Sequence, residues 1–349
     1  MSDNRSVSGV IQKNRYSSID IMRVVGTFLT MMAHVLPPNP ILQVRTFDVV
    51  MLVFISGICS FKEGNISSLK QYVHYIIKRI RRLVIPTYVL LVGMITVFYM
   101  LYTVLGGRPF FWSFKQIVDS FMLLDGVGYV WIVRVYLLMA LIIPFIAKLN
   151  QRISTKSYAV IGIVWSIVLF CINGISSSSL PVSSLRFLYE NYFVYLLGYG
   201  FVIFVSMAFT KDTGNKNLII LVIINFVICQ IMNMIKGYGF SPADYKYPPS
   251  LYYISYGLLV SVLVFSLLRK THIHSELLLW LSKNSFNIYL LHIPCIVIFN
   301  SISKHNISFH WVVMYILVVL CASLATRFFE VFKTYCKLWI RRYDNGKSK

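Results

Sequence analysis

Ten continuous apolar stretches, most of them close to the length of a membrane-spanning helix, dominate this chain of 349 residues. A helix needs about 20 apolar residues to cross a bilayer, and the second stretch is the short one. Hydrophobic residues make up 57% of the chain and charged residues 13%, whereas soluble domains carry about 25% charge. Transmembrane β-barrels show short alternating segments instead. We therefore predict an all-α integral membrane protein with about ten transmembrane helices, at approximately residues 19–37, 47–61, 83–105, 130–147, 157–173, 188–208, 217–235, 251–268, 285–301 and 309–328.

The basic residues are distributed unevenly between the two sides that this topology creates. With a cytoplasmic N-terminus, the cytoplasmic segments, both tails included, hold 23 of the 33 Lys and Arg residues, and the external loops hold 7. The other three, Arg23, Arg134 and Arg327, lie within the apolar stretches. This bias predicts a multi-pass protein of a bacterial cell membrane with both termini in the cytoplasm. The net charge of +21 thus indicates topology and contact with anionic lipids of the bilayer, and no nucleic-acid partner is expected.

The predicted organisation is a single membrane domain between two short polar tails. Residues 1–18 form a cytoplasmic N-terminal tail, residues 19–330 the membrane domain and residues 331–349 a basic cytoplasmic C-terminal tail. The six cysteines form no C-x-x-C pair, and the sequence HIH at 272–274 is too short to indicate a metal site. We therefore expect neither a disulfide framework nor a bound metal. Oligomeric state is not predicted, because lipid-facing and partner-facing apolar surfaces have similar compositions.

The first apolar stretch contains an arginine and a histidine eleven residues apart, in the segment RVVGTFLTMMAH. Eleven residues turn a helix through about 1100°, so Arg23 and His34 share one face and lie about 16 Å apart along the axis. Asp20 precedes Arg23 by three residues and is expected to pair with it. Polar side chains against lipid are costly, so this face should point into protein or a wet cavity. Two simpler roles stay open: Arg23 extending to the inner interface, and His34 as a hydrogen-bonded core histidine.

Three further polar residues are predicted near the level of His34: Asp48 at the start of the second stretch, Arg134 in the fourth and Glu190 at the start of the sixth. A histidine beside a carboxylate is a suitable general base for a sugar hydroxyl, because the carboxylate fixes the tautomer and stabilises the imidazolium. Arg134 would then stabilise a developing oxyanion or bind substrate. The alternative explanation for all three is an interfacial charge at a helix end.

The segment KRIRR (78–82) gives the predicted cytoplasmic side a different chemistry. Arg79 and Arg82 are three residues apart and are therefore neighbours on one helix face. Two guanidinium groups in this position suit a phosphorylated ligand. Ordinary positive-inside topology would also place basic residues here.

The segment SKNSFNIYLLHIP places three polar side chains on one side of the ninth predicted helix: Ser285, Tyr289 and His292. His292 is expected near the middle of the membrane, so it needs a hydrogen-bonding partner or water. We regard all three as candidate residues for substrate binding or oxyanion stabilisation.

Seven segments resemble, in the expected order, elements of the acyltransferase-3 family of integral membrane O-acyltransferases. They are the Arg-x10-His first helix IDIMRVVGTFLTMMAHV, the Phe-x-Ser-Gly segment FISGICSF, the Arg-x-x-Arg segment KRIRRLVIPTY, the tryptophan-bearing VWIVRVYLLMALIIPFI, and the later LLGYG, NSFNIYLLHIP and RFFE. The resemblance covers nearly the whole chain. It departs from the family at Tyr129, where a histidine often stands two residues before the tryptophan.

The resemblance implies ten membrane helices and transfer of an acyl group, commonly acetyl from acetyl-CoA, to a hydroxyl of a surface glycan. His34 resembles the catalytic histidine, Arg23 its motif partner, and Arg79 and Arg82 the CoA-binding pair. The acceptor would be a capsule or exopolysaccharide, or a lipid-linked precursor. Combined with the Arg23–His34 face, this implies that the thioester reaches His34, which deprotonates the acceptor for direct attack. A covalent acyl-enzyme is the alternative mechanism.

Two other classes of function are compatible with the residues themselves. A transporter or flippase for a polar glycolipid would also need intramembrane Arg, His and Asp residues. A scaffolding subunit of a polysaccharide machine would not depend on His34. Consumption of acetyl-CoA separates the enzyme from the transporter, and an intact phenotype in His34→Ala would indicate the scaffold.

Overall fold

The computed structural model describes the backbone of residues 4–347 except 107–109, 125, 128, 155, 176–180, 212–215, 270, 272, 274 and 304–308. Side chains are described between residues 17 and 336, without these gaps and without residue 303. His272 and His274 of the HIH sequence therefore lie outside the described residues. The part of the chain that is described forms helices, turns and loops and contains no β-strand.

The helices follow the apolar stretches of the sequence. In chain order they are α1 (Asn4–Met32), α2 (Asn39–Arg45), α3 (Asp48–Cys59), α4 (Leu69–Tyr99), α5 (Phe114–Phe121), α6 (Trp131–Arg152), α7 (Ser157–Gly174), α8 (Ser183–Leu188), α9 (Val194–Lys211), α10 (Lys216–Ile235), α11 (Leu251–Leu268), α12 (Glu276–Ser303) and α13 (Trp311–Lys347). Short 3-10 helices cover Ala33–Val35, Phe61–Asn65 and Pro242–Tyr245, and π-helical turns cover Met100–Leu105 and Tyr189–Phe193.

Within the described residues, ten helical segments are long and apolar enough to cross a membrane. They are Ser17–Val35, Asn39–Cys59, Leu69–Leu105, Trp131–Arg152, Ser157–Gly174, Ser183–Lys211, Lys216–Ile235, Leu251–Leu268, Glu276–Ile302 and Trp311–Cys336. Each one coincides with a predicted stretch, so the prediction of an all-α multi-pass membrane protein is confirmed. The short second stretch reaches spanning length because α2 and α3 form one segment.

The boundaries differ from prediction where a helix is amphipathic. α4 begins at Leu69, so the basic segment 78–82 belongs to this helix and not to a connecting link before residue 83. Its first turn is capped by Ser68, whose side chain accepts from the Gln71 N–H. Pro86 lies inside α4 without ending it, as prolines in transmembrane helices often do.

Both predicted tails continue transmembrane helices. α1 already begins at Asn4, within the predicted N-terminal tail. α13 extends from Trp311 to Lys347 and so includes most of the predicted C-terminal tail.

The centre of the bundle is formed by α3, α6, α9 and α11. α9 packs against α3 and α6, and α3 also contacts α1 and α11. In the apolar window of the span that contains α9, 78% of the residues are buried. In the corresponding windows of α4, α7 and α13, 22% of the residues are buried. The outer helices therefore direct most of their apolar side chains outward, as a lipid environment requires.

Glycine residues allow the central helices to approach closely. A Cβ atom built on Gly57 of α3 would lie 1.8 Å from the Ser206 Oγ and 3.3 Å from the Ile203 Cα of α9. In the same way, a Cβ on Gly257 of α11 would lie 2.5 Å from the Val50 Cβ of α3. Small residues at helix contacts are characteristic of membrane bundles, where packing replaces the hydrophobic effect between helices.

We predict that Gly57→Ala destabilises the bundle by about 1–3 kcal/mol, because overpacking forces α3 and α9 apart. The midpoint of thermal unfolding in detergent measures the effect. The matched control is Gly93→Ala in α4, where an added Cβ meets no atom within 4 Å. Equal midpoints for the two variants would contradict the close α3–α9 contact.

Candidate active site

Two regions of the bundle carry the predicted functional residues. We call the region with Arg23, Arg79 and Arg82 the basic end. We call the region with His34 and His292 the histidine end. The first helix links the two regions, since Arg23 lies within α1 and His34 lies just beyond it.

At the basic end, Arg23 forms a small polar cluster with α12. Its Nη1 donates to the Ser282 Oγ at 2.9 Å and to the Asp20 Oδ1 at 3.4 Å. The Ser282 hydroxyl in turn donates to the same Asp20 oxygen at 2.5 Å. The predicted Asp20–Arg23 pair is therefore confirmed, and Ser282 is a partner that the sequence analysis did not identify.

The other end of α1 is followed by a 3-10 turn and then by two prolines. The α-helix ends at Met32, His34 lies in the 3-10 turn Ala33–Val35, and Leu36 follows in the left-handed conformation with φ of 53°. Pro37 comes next, and a residue before proline disfavours the helical conformation. Regular helical spacing from Arg23 therefore stops two residues before His34. Both side chains nevertheless face α12, as the shared face predicted, because His34 lies beside His292 of that helix.

His34 is half-buried between two rings. The centre of its imidazole lies 3.8 Å from the centre of the Tyr129 ring and 5.3 Å from that of His292. Tyr129 has a φ of 48°, an uncommon conformation for a residue with a side chain, and α6 begins two residues later. The sequence departs from the family pattern at this position, yet the structure places the Tyr129 ring against the candidate base.

The predicted face of α12 supplies the remaining contacts. The Tyr289 hydroxyl donates to the Tyr129 carbonyl at 2.6 Å. His292 is fully buried, and its Nδ1 bonds the Tyr289 carbonyl of its own helix. In the neutral ring, that bond leaves the Nε2 atom as an acceptor, and no described residue hydrogen-bonds to it. Ser285, one turn before Tyr289, is half-buried and lies nearer the basic end.

The carboxylate of Asp48 is bound by two cations. It is fully buried, with Oδ2 accepting from the Arg45 Nη1 at 2.7 Å and Oδ1 accepting from the Lys246 Nζ at 3.3 Å. No hydrogen bond between Asp48 and His34 occurs in the described part of the chain. Two cations bind a buried carboxylate more strongly than a neutral imidazole does, which accounts for these partners of Asp48.

Arg45 and Lys246 are residues of this site that the sequence analysis missed. Lys246 comes from the segment between α10 and α11, and only 4% of the residue is exposed. Burial lowers the pKa of Lys246 to about 8, although Asp48 opposes the shift. Both cations lie close enough to act electrostatically on His34. The i, i+3 spacing of Arg45 and Asp48 is a signal that would have revealed one of the two contacts.

Arg134 belongs to a separate polar group, which it forms with Asn191. Arg134 is buried and donates to the Asn191 Oδ1 at 3.1 Å, and its guanidinium lies 5.0 Å from the centre of the Tyr195 ring. Glu190 is half-buried in the π-helical turn Tyr189–Phe193. Neither residue hydrogen-bonds to His34 in the described structure. The π-helical turn brings Asn191, the residue after Glu190, to Arg134 of α6.

A cavity of about 920 Å³ opens at the basic end. Its described lining contains one carboxylate, Glu63, which lies 3.9 Å from the Arg79 Nη2. The Arg79 guanidinium also lies 5.0 Å from the centre of the Tyr75 ring. The cationic side chains that line it are Arg23, Lys62, Lys78, Arg79, Arg82 and Lys283. This volume suits a cofactor-sized ligand, and the excess of cations favours a polyanion.

The cavity also reaches toward the histidine end. Ser285 and Tyr289 of α12 line it, together with Tyr136 and Met139 of α6. Tyr289 donates to the Tyr129 carbonyl, and the Tyr129 ring lies on His34. A ligand held by the arginines can therefore extend to Tyr289, and Tyr129 lies between Tyr289 and the imidazole.

A family model described as an acyltransferase domain matches residues 16–328. The chain belongs to the acyltransferase-3 family. It is a multi-pass membrane acyltransferase. Searches of curated proteins and of solved structures gave no match.

We predict that Asp48→Asn destabilises the acyltransferase by about 3–5 kcal/mol, because it leaves two buried cations without their carboxylate. Thermal unfolding of the purified protein in detergent measures the loss. The control is Arg327→Gln, which removes an exposed ion pair of 3.7 Å and should change stability little. An Asp48→Asn protein as stable as the control would show that the buried ion cluster is not a structural element.

Proposed function

We propose that this acyltransferase moves an acetyl group from acetyl-CoA to a hydroxyl of a cell-surface glycan. The acceptor is a capsule or exopolysaccharide, or its lipid-linked precursor. His34 acts as the general base. One observation carries the proposal. The same cavity is lined by a cluster of arginines and lysines and by Tyr289, which lies close to the half-buried His34.

The basic end is the binding site for the donor. CoA carries several phosphate charges, and Arg79, Arg82 and Arg23 place three guanidinium groups on the cavity wall. Guanidinium groups bind phosphate oxygens through paired, charge-assisted hydrogen bonds. Glu63 lies 3.9 Å from Arg79 and Asp20 lies 3.4 Å from Arg23. Arg82 forms no ion pair with a carboxylate in the described structure, so it is the guanidinium with the least competition for the phosphates.

The distance between the two ends matches the extended arm of CoA. The α-helix from Arg23 to Met32 and the 3-10 turn that carries His34 together rise about 17 Å. A pantetheine arm of comparable length, with its head group among the arginines, brings the thioester to Tyr289. The cavity wall contributed by α6 is largely apolar, with Ile132, Met139 and Ile143 among its residues, which suits this uncharged part of the donor.

At the histidine end, His34 takes the proton from the acceptor hydroxyl. The hydroxyl oxygen attacks the thioester carbonyl carbon, the carbon–sulfur bond breaks, and CoA leaves as a thiolate that recovers the proton from the imidazolium. Arg45 and Lys246 outnumber the one buried carboxylate, Asp48, and their net positive charge favours the oxyanion of the tetrahedral intermediate. Label trapped on purified protein without acceptor would favour a covalent acyl-enzyme instead.

The membrane orientation follows from the same chemistry. Acetyl-CoA is a cytoplasmic metabolite, so the basic end faces the cytoplasm of a bacterial cell, and both termini lie on that side. The acceptor glycan approaches the histidine end from outside. The buried position of Arg134 beside aromatic rings makes it a second candidate for contact with the acceptor.

We predict that His34→Ala lowers acetyl transfer by at least about 100-fold, the typical contribution of a general base. Membranes that contain matched amounts of each protein receive labelled acetyl-CoA and native glycan, and the label in polysaccharide is counted. His310→Ala, a substitution of an exposed histidine, is the control and should transfer at the wild-type rate. Equal transfer by wild type and His34→Ala would exclude His34 from the chemistry.

A second prediction concerns the donor site. Arg82→Met should raise the KM for acetyl-CoA by about tenfold, because a charge-assisted hydrogen bond to phosphate is lost. Arg79→Met should act in the same direction. Initial rates at varied acetyl-CoA measure both. Arg81 lies between them but does not line the cavity, so Arg81→Met is the control. A KM that changes equally in all three variants would indicate a general effect of charge and not a binding pair.

A further inference from the structure

The segment 236–250, between α10 and α11, folds back onto the bundle. The Gln43 side chain of α2 accepts from the Ala243 N–H at 2.8 Å and donates to the Asp244 Oδ1 at 3.0 Å. The Tyr245 hydroxyl donates to the Asn233 Oδ1 at 2.6 Å. These hydrogen bonds join the segment to α2 and to α10, so it holds a defined position over the histidine end.

This position inserts Lys246 into the bundle. Its ammonium lies 3.3 Å from the Asp48 Oδ1 and is surrounded by the rings of Trp131, Tyr247 and Tyr253, at 5.4, 5.7 and 6.0 Å from the ring centres. A lysine at the surface would keep its ammonium in water at no desolvation cost. The buried arrangement therefore depends on Asp48 and on the aromatic faces.

The carboxylate that Lys246 binds controls the end of α1. Asp48 also binds Arg45, and the same Arg45 Nη1 donates to the Leu29 carbonyl at 3.2 Å. Leu29 is one of the last four residues of α1, whose carbonyls have no partner within the helix. His34 follows two residues after this helix ends. A continuous set of bonds thus runs from Lys246 to the turn that carries the imidazole.

Trp131 gives a second connection between the lysine and the imidazole. The Lys246 ammonium lies over the Trp131 ring at the start of α6. Tyr129, two residues earlier, presents its ring to His34. Both routes end on His34, one through the backbone of α1 and one through the wall of the site.

We propose that Lys246 is a positioning residue for the transfer reaction. It holds Asp48 in place, and through Arg45 it fixes the end of α1, so that the His34 imidazole keeps its place against Tyr129 and His292. This inference rests on the proposed function. It assigns to the segment 236–250 a role in the reaction beyond covering the bundle.

The test compares three variants with the wild type in membranes. Lys246→Met keeps most of the side-chain volume and removes the charge, and Lys246→Arg restores a cation. Lys236→Met changes an exposed lysine of the same segment and is the control. For each, the amount of folded protein is measured by gel filtration in detergent, and kcat and the KM for acetyl-CoA are determined per folded molecule.

We expect Lys246→Met to lower kcat about 10- to 100-fold, as small displacements of a catalytic group do, with the KM for acetyl-CoA changed less than about twofold. Lys246→Arg should recover most of the lost kcat, and Lys236→Met should match the wild type. In the Asp48→Asn background, Lys246→Met should add little further loss, because the two residues act as one unit.

Two results would overturn the proposal. If Lys246→Met yields less folded protein but the remaining molecules have the wild-type kcat, the lysine is only structural. If the double variant loses kcat by the product of the fold-losses of Lys246→Met and Asp48→Asn, the lysine does not act through that carboxylate. A wild type that transfers no acetyl group would instead overturn the proposed function, and this inference with it.

Discussion

The cost of placing a charged side chain against hydrocarbon determines where the polar groups of this protein lie. Two clusters in the described part of the chain pair such charges with one another: Arg23 binds Asp20 and Ser282, and Asp48 binds Arg45 and Lys246. These contacts fix how α1, α3 and α12 face one another. The polar groups of the candidate site thus also help to set how these helices are arranged.

The two ends of the site use charge in different ways. At the basic end the cations line a cavity of about 920 Å³ and can exchange water for a ligand. At the histidine end Arg45 and Lys246 are buried and already bound to a carboxylate, so they act through their field and by holding neighbouring groups. A mobile polyanion suits the first environment, and a reaction that develops negative charge at a fixed point suits the second.

Sequence reasoning located what depends on local spacing. The ten spans follow from apolar length, and the Asp20–Arg23 pair follows from an i, i+3 spacing. It failed where partners are distant in the chain: Lys246 is 198 residues from Asp48 and lies in a segment whose composition suggests an ordinary loop. It also placed the start of α4 too late, because the first turns of this helix are basic and amphipathic and carry no continuous apolar signal.

Tyr129 shows how a position can belong to the site without supplying an acid or base. Its ring lies against His34 and its carbonyl accepts from Tyr289, so it contributes a surface and a backbone acceptor. A phenol near neutral pH does not readily exchange a proton with an imidazole, since its ordinary pKa is about 10. The second imidazole at this end is His292, whose Nδ1 is bound to a carbonyl of its own helix. The two rings nearest His34 thus contribute packing surface and backbone hydrogen bonds to the histidine end.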